Sequence, residues 1–401
     1  MQQQRRRIGI LTGGGDCPGL NAVIRAATRS AIYLGYKVVG IRRGFEGLAD
    51  PVQTMPLTIA NTYNILNQGG TILGSTNKGR FSVKVGTNQL RELDPALVAM
   101  VRRNLEELEI DGLICIGGDG SLTIAWQLFR AGLPIVGVPK TIDNDLRGTA
   151  FTFGFDSAVA CAANALDRLH TTAASHERVM VLEVMGRHTG WIALHAGLAG
   201  GGDVILIPEI DWTFENVCAK ILARQRMGRR FTLIVVAEGA RLPDGGLVTA
   251  DASSADRQVR LGGIGQVVAE EVGRRLDVET RCVVLGHLQR GGEPTYFDRC
   301  LSTQYGAHAV RLIEEQKFGQ MVSYDPPDMT SVSIEAAIER LHTVDPNGAG
   351  VQAARAMAVS FGDTPDYQNP FPNSQIKQET YAEQFNVSPS AIGVSHFDDY
   401  E

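Results

Sequence analysis

Short apolar runs alternate with longer segments whose apolar residues recur at helical spacing, from residue 8 to about residue 317. A short apolar run that ends in a polar or glycine-rich turn is typical of a buried parallel strand, and spacings of three and four positions predict an amphipathic helix. The alternation predicts an α/β fold with parallel sheets. The predicted strands are 8–11, 38–41, 113–116, 135–138, 179–184, 204–207, 233–237 and 282–285, and the predicted helices are 20–34, 121–130, 158–170, 214–226, 266–276 and 303–317.

The strands of the second half end in polar turns of the same kind as those of the first half. Open α/β sheets bind ligands at the carboxyl ends of their strands. We therefore expect two doubly wound, Rossmann-like domains that face each other across an active-site cleft. Beyond about residue 363 the alternation gives way to sequence rich in Pro, Asn and Gln, which predicts an extended C-terminal tail over 364–401.

The composition narrows the class of protein. The chain has 401 residues, of which 44% are hydrophobic and 20% charged, and a net charge of −6; this is typical of a soluble globular protein with a substantial core. The lack of a basic excess argues against nucleic acid as a partner, and no apolar stretch is long enough to span a membrane. The six cysteines have no paired spacing, so we expect reduced thiols in a cytoplasmic protein.

The segment 139–145 (PKTIDND) follows a predicted strand and carries the most specific chemistry. Residues two apart in an extended segment point the same way, so Asp143 and Asp145 can both face one substrate. Neighbouring carboxylates raise each other's proton affinity, which suits a general base. The alternative, a loop closed only by Asx turns, loses weight because Thr141 and a glycine turn stand nearby.

Two glycine turns, 12–16 (TGGGD) and 117–121 (GGDGS), each join a predicted strand to a predicted helix. Glycine lets the backbone approach a phosphate closely and presents amides at a helix N-terminus, although such a turn can also be only a tight connection. Neither turn has the spacing of a Walker P-loop. Asp119 is open to two interpretations, a ligand of a Mg²⁺ ion that bridges phosphates and a cap of the following helix.

A third group of residues is cationic and lies at strand ends and in loops. A lone arginine there is usually solvated and a lone histidine is usually structural, but several donors together suit a phosphate ester with two negative charges. The group consists of Arg178, Arg187, Arg281, His287 and Arg290.

Taken together, these segments closely resemble the phosphofructokinase family over roughly residues 7–340, in the family's order. The PKTIDND and GHLQRGG segments are highly specific, whereas lipid and NAD kinases share GGDGS but lack the others. The matching segments are 12–21 (TGGGDCPGLN), 117–121 (GGDGS), 139–145 (PKTIDND), 175–178 (SHER), 183–190 (EVMGRHTG) and 286–299 (GHLQRGGEPTYFDR).

The resemblance implies a 6-phosphofructokinase, which transfers the γ-phosphate of MgATP to the 1-hydroxyl of fructose 6-phosphate in glycolysis. It implies that Asp143 is the base that takes the proton of this hydroxyl, with Thr141 and Asp145 beside it. The implied nucleotide contacts are Gly15, Gly117, Gly118, Asp119, Gly120 and Ser121, and Asp119 is also the implied ligand of Mg²⁺. The implied sugar-phosphate contacts are Arg178 and Arg281 from an adjoining subunit and His287 and Arg290 from the same subunit, with a sugar pocket of Met185, Gly186, Arg187 and Glu238.

The resemblance also implies how the chain is divided and assembled. An ATP-binding domain would comprise 1–154 plus about 290–342, and a domain that binds fructose 6-phosphate would comprise 155–289 plus about 343–363. The family is commonly tetrameric, so we expect a cytoplasmic homotetramer whose active sites are completed across a subunit interface.

Two residues point to different phosphoryl donors. Gly120 leaves room for the α-phosphate of ATP, where pyrophosphate-using relatives typically have Asp, whereas Lys140 resembles the pyrophosphate-using group. Gly120 decides whether a nucleotide fits at all, so we expect ATP. Lys78 follows the position at which allosteric bacterial members have an Arg on the donor phosphates, and we expect it to substitute. The alternative functions are a pyrophosphate-dependent fructose-6-phosphate 1-phosphotransferase and a non-catalytic regulatory paralogue that binds sugar phosphates.

Overall fold

The computed structural model describes residues 6–76, 79–81, 84–85, 89–249 and 261–364. These residues form two compact units. Unit 1 comprises Met1–Ala160, Ser254–Gln258 and His287–His342, and unit 2 comprises Cys161–Ser253, Val259–Gly286 and Thr343–Glu401, each as far as it is described. The assignment of an ATP-binding and a sugar-binding domain to particular ranges stays a prediction. All of the predicted tail except its first residue lies outside the described residues.

The described strands, in chain order, are β1 (Arg7–Thr12), β2 (Lys37–Ile41), β3 (Thr54–Leu57), β4 (Lys84–Val85), β5 (Gln89–Leu90), β6 (Gly112–Gly117), β7 (Ile135–Pro139), β8 (Val179–Val184), β9 (Val204–Leu206), β10 (Thr232–Ala237), β11 (Thr280–Val284), β12 (Gln320–Asp325) and β13 (Asp328–Ser333). The described α-helices are α1 (Leu20–Tyr33), α2 (Pro95–Glu107), α3 (Asp119–Arg130), α4 (Phe155–His176), α5 (Trp191–Ala199), α6 (Phe214–Arg226), α7 (Ile264–Leu276), α8 (Tyr296–Glu314), α9 (Ile334–Ile338) and α10 (Ala349–Ala356). Two 3₁₀ helices span Gly44–Leu48 and Gly286–Arg290.

Unit 1 is built on a sheet whose described strands stand in the order β13-β12-β7-β6-β1-β2-β3. The neighbouring pairs from β12 to β2 are parallel, and antiparallel pairs lie at the two edges, β12–β13 and β2–β3. The central strands β6 and β7, with the sequences GLICIG and IVGVP, are buried along their whole length. Such continuous burial is typical of parallel strands that are covered on both faces.

Unit 2 is built on a smaller sheet in the order β11-β8-β10-β9, and its described pairs are all parallel. The central strands β8 and β10 are buried along their whole length. Glu183 of β8 supports the start of α7, because its carboxylate accepts hydrogen bonds from the backbone N–H groups of Gly263 (3.0 Å) and Gly265 (2.8 Å). A buried carboxylate at this helix N-terminus satisfies amides that have no partner within the helix.

The predicted α/β fold is confirmed, and each of the eight predicted strands coincides with a described strand to within two residues at either end. Five described strands, β3, β4, β5, β12 and β13, were not predicted, and the edge strands β3 and β13 have mostly exposed or mixed burial patterns. The predicted start of a helix at 303 is wrong, since α8 begins at Tyr296. Thr295 caps it, with its hydroxyl oxygen accepting from the backbone N–H of Asp298 (3.3 Å).

All six cysteines lie within the described residues and carry free thiols. Cys17, Cys115 and Cys218 are buried, in agreement with the expected reduced thiols, whereas Cys300 is exposed. In the part of the chain that the structure describes, no helix combines the length and the apolar character needed to cross a membrane.

Candidate active site

Three loops of unit 1 lie together at the carboxyl edge of its sheet. They follow β1, β6 and β7, which are neighbours in the sheet. The backbone N–H of Gly13 donates to the carbonyl of Ile116 (2.8 Å), and that of Lys140 donates to the carbonyl of Gly117 (3.0 Å). These hydrogen bonds join the TGGGD, GGDGS and PKTIDND segments at the edge where open α/β sheets bind ligands.

The GGDGS segment forms the turn between β6 and α3. Gly118 precedes the helix without a side-chain cap, and Asp119 and Gly120 lie in the first turn. A Cβ added at Gly117 would stand 2.3 Å from the Cβ of Ser121, whereas one added at Gly120 would meet nothing within 4 Å. Gly117 is therefore required by packing, and Gly120 faces open space at a helix N-terminus, where backbone amides and the helix dipole favour an anion.

The TGGGD segment, between β1 and α1, is held in a different way. Three consecutive carbonyls of this turn accept hydrogen bonds from side chains elsewhere in unit 1. The donors are Ser75 on Gly14, Lys140 on Gly15, and Arg290 on Asp16, where the N···O distance is 3.2 Å. Hydrogen bonds from three side chains thus hold the backbone of this turn.

Two of these donors are cations that the sequence assigned to substrate. Lys140, the predicted donor-phosphate contact, is only 4% exposed, and burial lowers the pKa of its ammonium group. Arg290, the predicted sugar-phosphate contact, lies close enough to lower that pKa further. Both cations therefore lie at the TGGGD turn, on the same edge of the sheet as the GGDGS turn.

The segment 141–145 carries the three predicted catalytic residues. Burial alternates along it, since Ile142 and Asn144 are buried while Thr141, Asp143 and Asp145 are half-buried. Asp143 and Asp145 are therefore both more accessible than the residues next to them. Residues 141–145 are called the base loop below. The backbone N–H of Asp143 donates to the hydroxyl oxygen of Thr141 (3.1 Å), which fixes the start of this loop.

The base loop lies against the GGDGS turn. A Cβ added at Gly118 would stand 3.1 Å from the carbonyl oxygen of Lys140 and 3.7 Å from the Cβ of Thr141. Asp119 follows Gly118 directly in the chain. The predicted metal ligand and the predicted base therefore belong to adjoining segments of unit 1.

Four predicted sugar-pocket residues of unit 2 lie at the carboxyl ends of two neighbouring strands, with Met185, Gly186 and Arg187 after β8 and Glu238 after β10. The backbone N–H of Glu238 donates to the carbonyl of Val184 (2.9 Å), which joins the two strand ends. Gly186 has a φ of 140°, and a Cβ there would stand 2.6 Å from the carbonyl oxygen of Thr189. Only glycine fits this position.

Arg178 and Arg281 lie at the other end of the unit 2 sheet. Arg178 directly precedes β8, and Arg281 is the second residue of β11, the neighbour of β8. Both contact Glu279; the Arg178 Nε to Glu279 Oε2 distance is 2.6 Å, and the hydrogen bond from Arg178 is the main cause of the lowered pKa of Glu279. Arg281 is paired with Met180, five residues before Met185, and Arg178 stands seven residues before it. Since a strand rises about 3.3 Å per residue, the backbone positions of Arg281 and Arg178 lie roughly 17 Å and roughly 23 Å from Met185.

Two predicted contacts remain. His287 is exposed, in the 3₁₀ helix Gly286–Arg290. Lys78 lies outside the described residues.

Sequence reasoning missed Glu279, Glu209 and His342. The carboxylate of Glu209 accepts from the backbone N–H of Gly190 (3.0 Å), which ends the EVMGRHTG segment, and from that of Val344 (2.9 Å); burial raises its pKa. His342 contacts the base loop. Glu279 stands two residues before Arg281, and this pattern of opposite charges could have indicated their contact. No local pattern marks Glu209 or His342 as neighbours of these loops.

Comparisons with known proteins identify the family. A family model described as Phosphofructokinase matches residues 7–313. The ATP-dependent 6-phosphofructokinase of Chloroflexus aurantiacus is 52% identical over 363 residues, which cover 90% of this chain and 99% of the relative. The pyrophosphate–fructose 6-phosphate 1-phosphotransferase of Streptomyces coelicolor is 48% identical over 343 residues, covering 85% of this chain and 96% of that relative.

A solved structure shares the fold as well. The crystal structure of Pichia pastoris phosphofructokinase in the T-state matches with a TM-score of 0.72 and 31% identity, over 89% of this chain and 39% of the yeast chain. The chain therefore spans well under half of that yeast protein but nearly the full length of its bacterial relatives. The chain belongs to the phosphofructokinase family, which confirms the resemblance seen in its sequence.

Proposed function

We propose that the chain is an ATP-dependent 6-phosphofructokinase, which transfers the γ-phosphate of ATP to the 1-hydroxyl of fructose 6-phosphate. The observation that carries the proposal is the open space at Gly120, at the N-terminus of α3 and beside the base loop. Donor phosphates would occupy this space and accept hydrogen bonds from the first amides of α3. The relative from Chloroflexus aurantiacus carries the name of the same function, in agreement with the function predicted from the sequence.

In this proposal Asp143 takes the proton of the sugar hydroxyl as the phosphoryl group is transferred. A positioned base contributes about 10²–10⁴-fold to a rate, and the rest of phosphoryl transfer depends on orientation and charge neutralisation. Thr141 and Asp145 flank the base, and Gly117, Gly118, Gly120 and Ser121 bring the α3 amides to the donor. Lys140 and Arg290 supply positive charge at the same edge.

The residues present fit a magnesium ion that is held mainly through the donor. Among the described residues no cluster of three or more His, Cys, Asp or Glu side chains could hold a metal by itself. Asp119 lies in the first turn of α3, next to the open space at Gly120. Proteins commonly hold Mg²⁺ through one or two carboxylates together with substrate phosphates and water. When bound there, the ion would neutralise charge on the donor phosphates.

Pyrophosphate is the rival donor. The buried Lys140 and the relative from Streptomyces coelicolor, whose name specifies pyrophosphate, favour it. A steady-state assay with fructose 6-phosphate, Mg²⁺ and either donor decides between the two. We expect turnover with ATP, and turnover with pyrophosphate but not with ATP would overturn the proposal.

A non-catalytic paralogue that only binds sugar phosphates is the remaining alternative. We expect Asp143→Asn to lower kcat by about 10²–10⁴-fold, because the amide cannot accept the hydroxyl proton. Binding of fructose 6-phosphate, measured by calorimetry, should be retained. A kcat equal to that of the wild type would exclude Asp143 as the base.

We also propose that Arg178 and Arg281 serve the active site of a neighbouring subunit. Within unit 2 their backbone positions lie roughly 17–23 Å from Met185, and both side chains contact Glu279. A homotetramer whose sites are completed across an interface would let this pair reach the sugar 6-phosphate of another copy. His287 and Arg290 would contact that phosphate from the same subunit. The cytoplasm is the proposed location, in keeping with the free thiols.

A further inference from the structure

The base loop is held from a distant part of the chain. The backbone N–H of His342 donates to the carbonyl of Asp145 (2.8 Å), and its ring Nδ1 lies 3.1 Å from the carbonyl oxygen of Asn144. His342 stands 198 residues after Asn144 in the sequence and belongs to the same unit. Two consecutive carbonyls of the loop thus accept hydrogen bonds from one residue.

The chemistry of this contact fixes the state of the imidazole nitrogen. A carbonyl oxygen only accepts hydrogen bonds, so Nδ1 of His342 must carry the proton. Nδ1 carries a proton both in one neutral tautomer and in the imidazolium ion. The hydrogen bond to Asn144 therefore does not depend on the protonation of the other nitrogen, and His342 acts as a fixed tether.

Asn144 is the residue whose conformation this tether secures. It lies between the two aspartates with a φ of 50°, in the left-handed region that costs most residues about 1–2 kcal/mol and that asparagine tolerates better. Its side-chain oxygen accepts from the backbone N–H of Thr152 (2.9 Å), and the Thr152 hydroxyl donates to the carbonyl of Thr141 (2.7 Å). Unusual backbone conformations persist where the surroundings over-determine them.

The two sets of contacts act on different groups of the same turn. Thr152 fixes the Asn144 side chain and the start of the loop, and His342 fixes the carbonyls of Asn144 and Asp145. Asn144 is bonded to both aspartates, so its backbone conformation determines the course of the chain, and with it the directions of the carboxylates, on either side of it. An error of about 1 Å in the placement of a reacting group can cost about 100-fold in rate.

We propose that His342 is a positioning residue for the base loop, which acts through its Nδ1 hydrogen bond to Asn144 and keeps Asp143 and Asp145 directed at the substrate. This inference rests on the proposed role of the loop in phosphoryl transfer. His342 itself touches no substrate in the proposal, and its ring is replaceable by any group that donates a hydrogen bond from the same position.

Three variants test the proposal. His342→Asn keeps an N–H donor close to the place of Nδ1, and His342→Leu keeps a similar volume without a donor. His308→Leu makes the same change on α8, where the charged neighbours of the ring are Arg311, Glu315 and Lys317. The backbone hydrogen bond to Asp145 survives in each variant. We expect His342→Leu to lower kcat by about 10- to 100-fold with KM for ATP within about twofold, while His342→Asn recovers most of the rate and His308→Leu retains it.

A second measurement keeps the test separate from the proposed function. Hydrogen–deuterium exchange of peptides that cover 141–147 should be faster in His342→Leu than in the wild type and should return to the wild-type rate in His342→Asn. A wild-type protein without activity on either donor would refute the proposed function, yet the exchange data would still decide whether His342 orders the loop. Equal impairment of the Asn and Leu variants, or wild-type kcat and exchange in the Leu variant, would overturn the inference.

Discussion

The two glycine turns of unit 1 look alike in sequence and differ in structure. In the TGGGD turn, three consecutive carbonyls accept hydrogen bonds from side chains of other segments. In the GGDGS turn, α3 begins without a side-chain cap and Gly120 faces open space. The first turn is fixed by its neighbours, and the second leaves room for a ligand at a helix N-terminus.

The difference shows that two turns of similar sequence between a strand and a helix can be held in different ways. What separates the two turns is supplied by Ser75, Lys140 and Arg290, which stand 61, 125 and 274 residues from the carbonyls they contact. Substitutions in either turn can therefore test whether one is mainly structural and the other mainly functional.

The largest expected effect comes from closing the open turn. Gly120→Asp should lower kcat/KM for ATP by at least about 100-fold, because like charges opposed across an interface cost several kcal/mol and about 1.4 kcal/mol is worth tenfold. The melting temperature should stay close to that of the wild type, since a Cβ at this position meets nothing within 4 Å. Gly120→Ala is the matched control and should retain ATP activity. An Asp variant as active with ATP as the wild type would remove the main support for the proposed donor site.

A substitution three residues earlier should affect folding instead of donor binding. At Gly117 a new Cβ would stand 2.3 Å from the Cβ of Ser121, and overpacking of this kind typically costs about 1–3 kcal/mol. Urea denaturation should therefore show a lower free energy of unfolding for Gly117→Ala than for Gly120→Ala. Equal stability of the two variants would mean that the GGDGS turn is looser than the structure indicates.

Lys140→Met tests the electrostatics of the fixed turn. A buried ammonium group costs free energy that an apolar side chain does not, and the lost hydrogen bond to Gly15 offsets about 1 kcal/mol of this gain. At pH 7 we therefore expect the Met variant to be at least as stable as the wild type. Its activity should fall if Lys140 contacts the donor.

The same pair of proteins should respond differently to pH. The pKa of Lys140 is lowered in the folded protein, so between that value and the ordinary 10.5 the unfolded chain binds more protons. The free energy of unfolding of the wild type should therefore rise relative to that of Lys140→Met as the pH increases towards 10.5. Lys37→Met removes an exposed lysine and serves as the control for the substitution. A difference that does not change with pH would contradict the lowered pKa.

The smallest effect is expected at Ser75. Ser75→Ala removes the hydroxyl that donates to the Gly14 carbonyl. This substitution should lower the free energy of unfolding by about 0.5–1.5 kcal/mol. KM for ATP should stay within about twofold of the wild type, because the GGDGS turn is unchanged. A large rise in KM with unchanged stability would instead assign the TGGGD turn to the donor site.

The sequence predicts the parts of the fold that follow local pattern. Apolar runs located the buried strands, and the order of β1, β6 and β7 in the sheet then brings three predicted loops to one edge. The mixed burial of β3 and β13 hides such edge strands from this kind of reading. The start of α8 was misplaced because the Thr295 cap precedes the apolar periodicity.

The candidate site shows the same limit. Asp143 and Asp145 can be predicted from the sequence because they lie two residues apart within one contiguous motif. The contacts of Lys140 with Gly15 and of His342 with Asn144 span 125 and 198 residues, so only the folded chain reveals them. The predicted roles of the individual site residues stay predictions until the variants above are measured.

The arginine pair on Glu279 has a consequence for how the protein would behave in a test tube. A subunit on its own would carry the sugar-pocket loops and the arginine pair at opposite ends of the strands of one sheet. The arginines could then not contact a sugar phosphate bound at those loops. If the pair serves a neighbouring copy, specific activity should fall steeply once the protein is diluted below the concentration at which its copies associate, and should recover on concentration without any refolding.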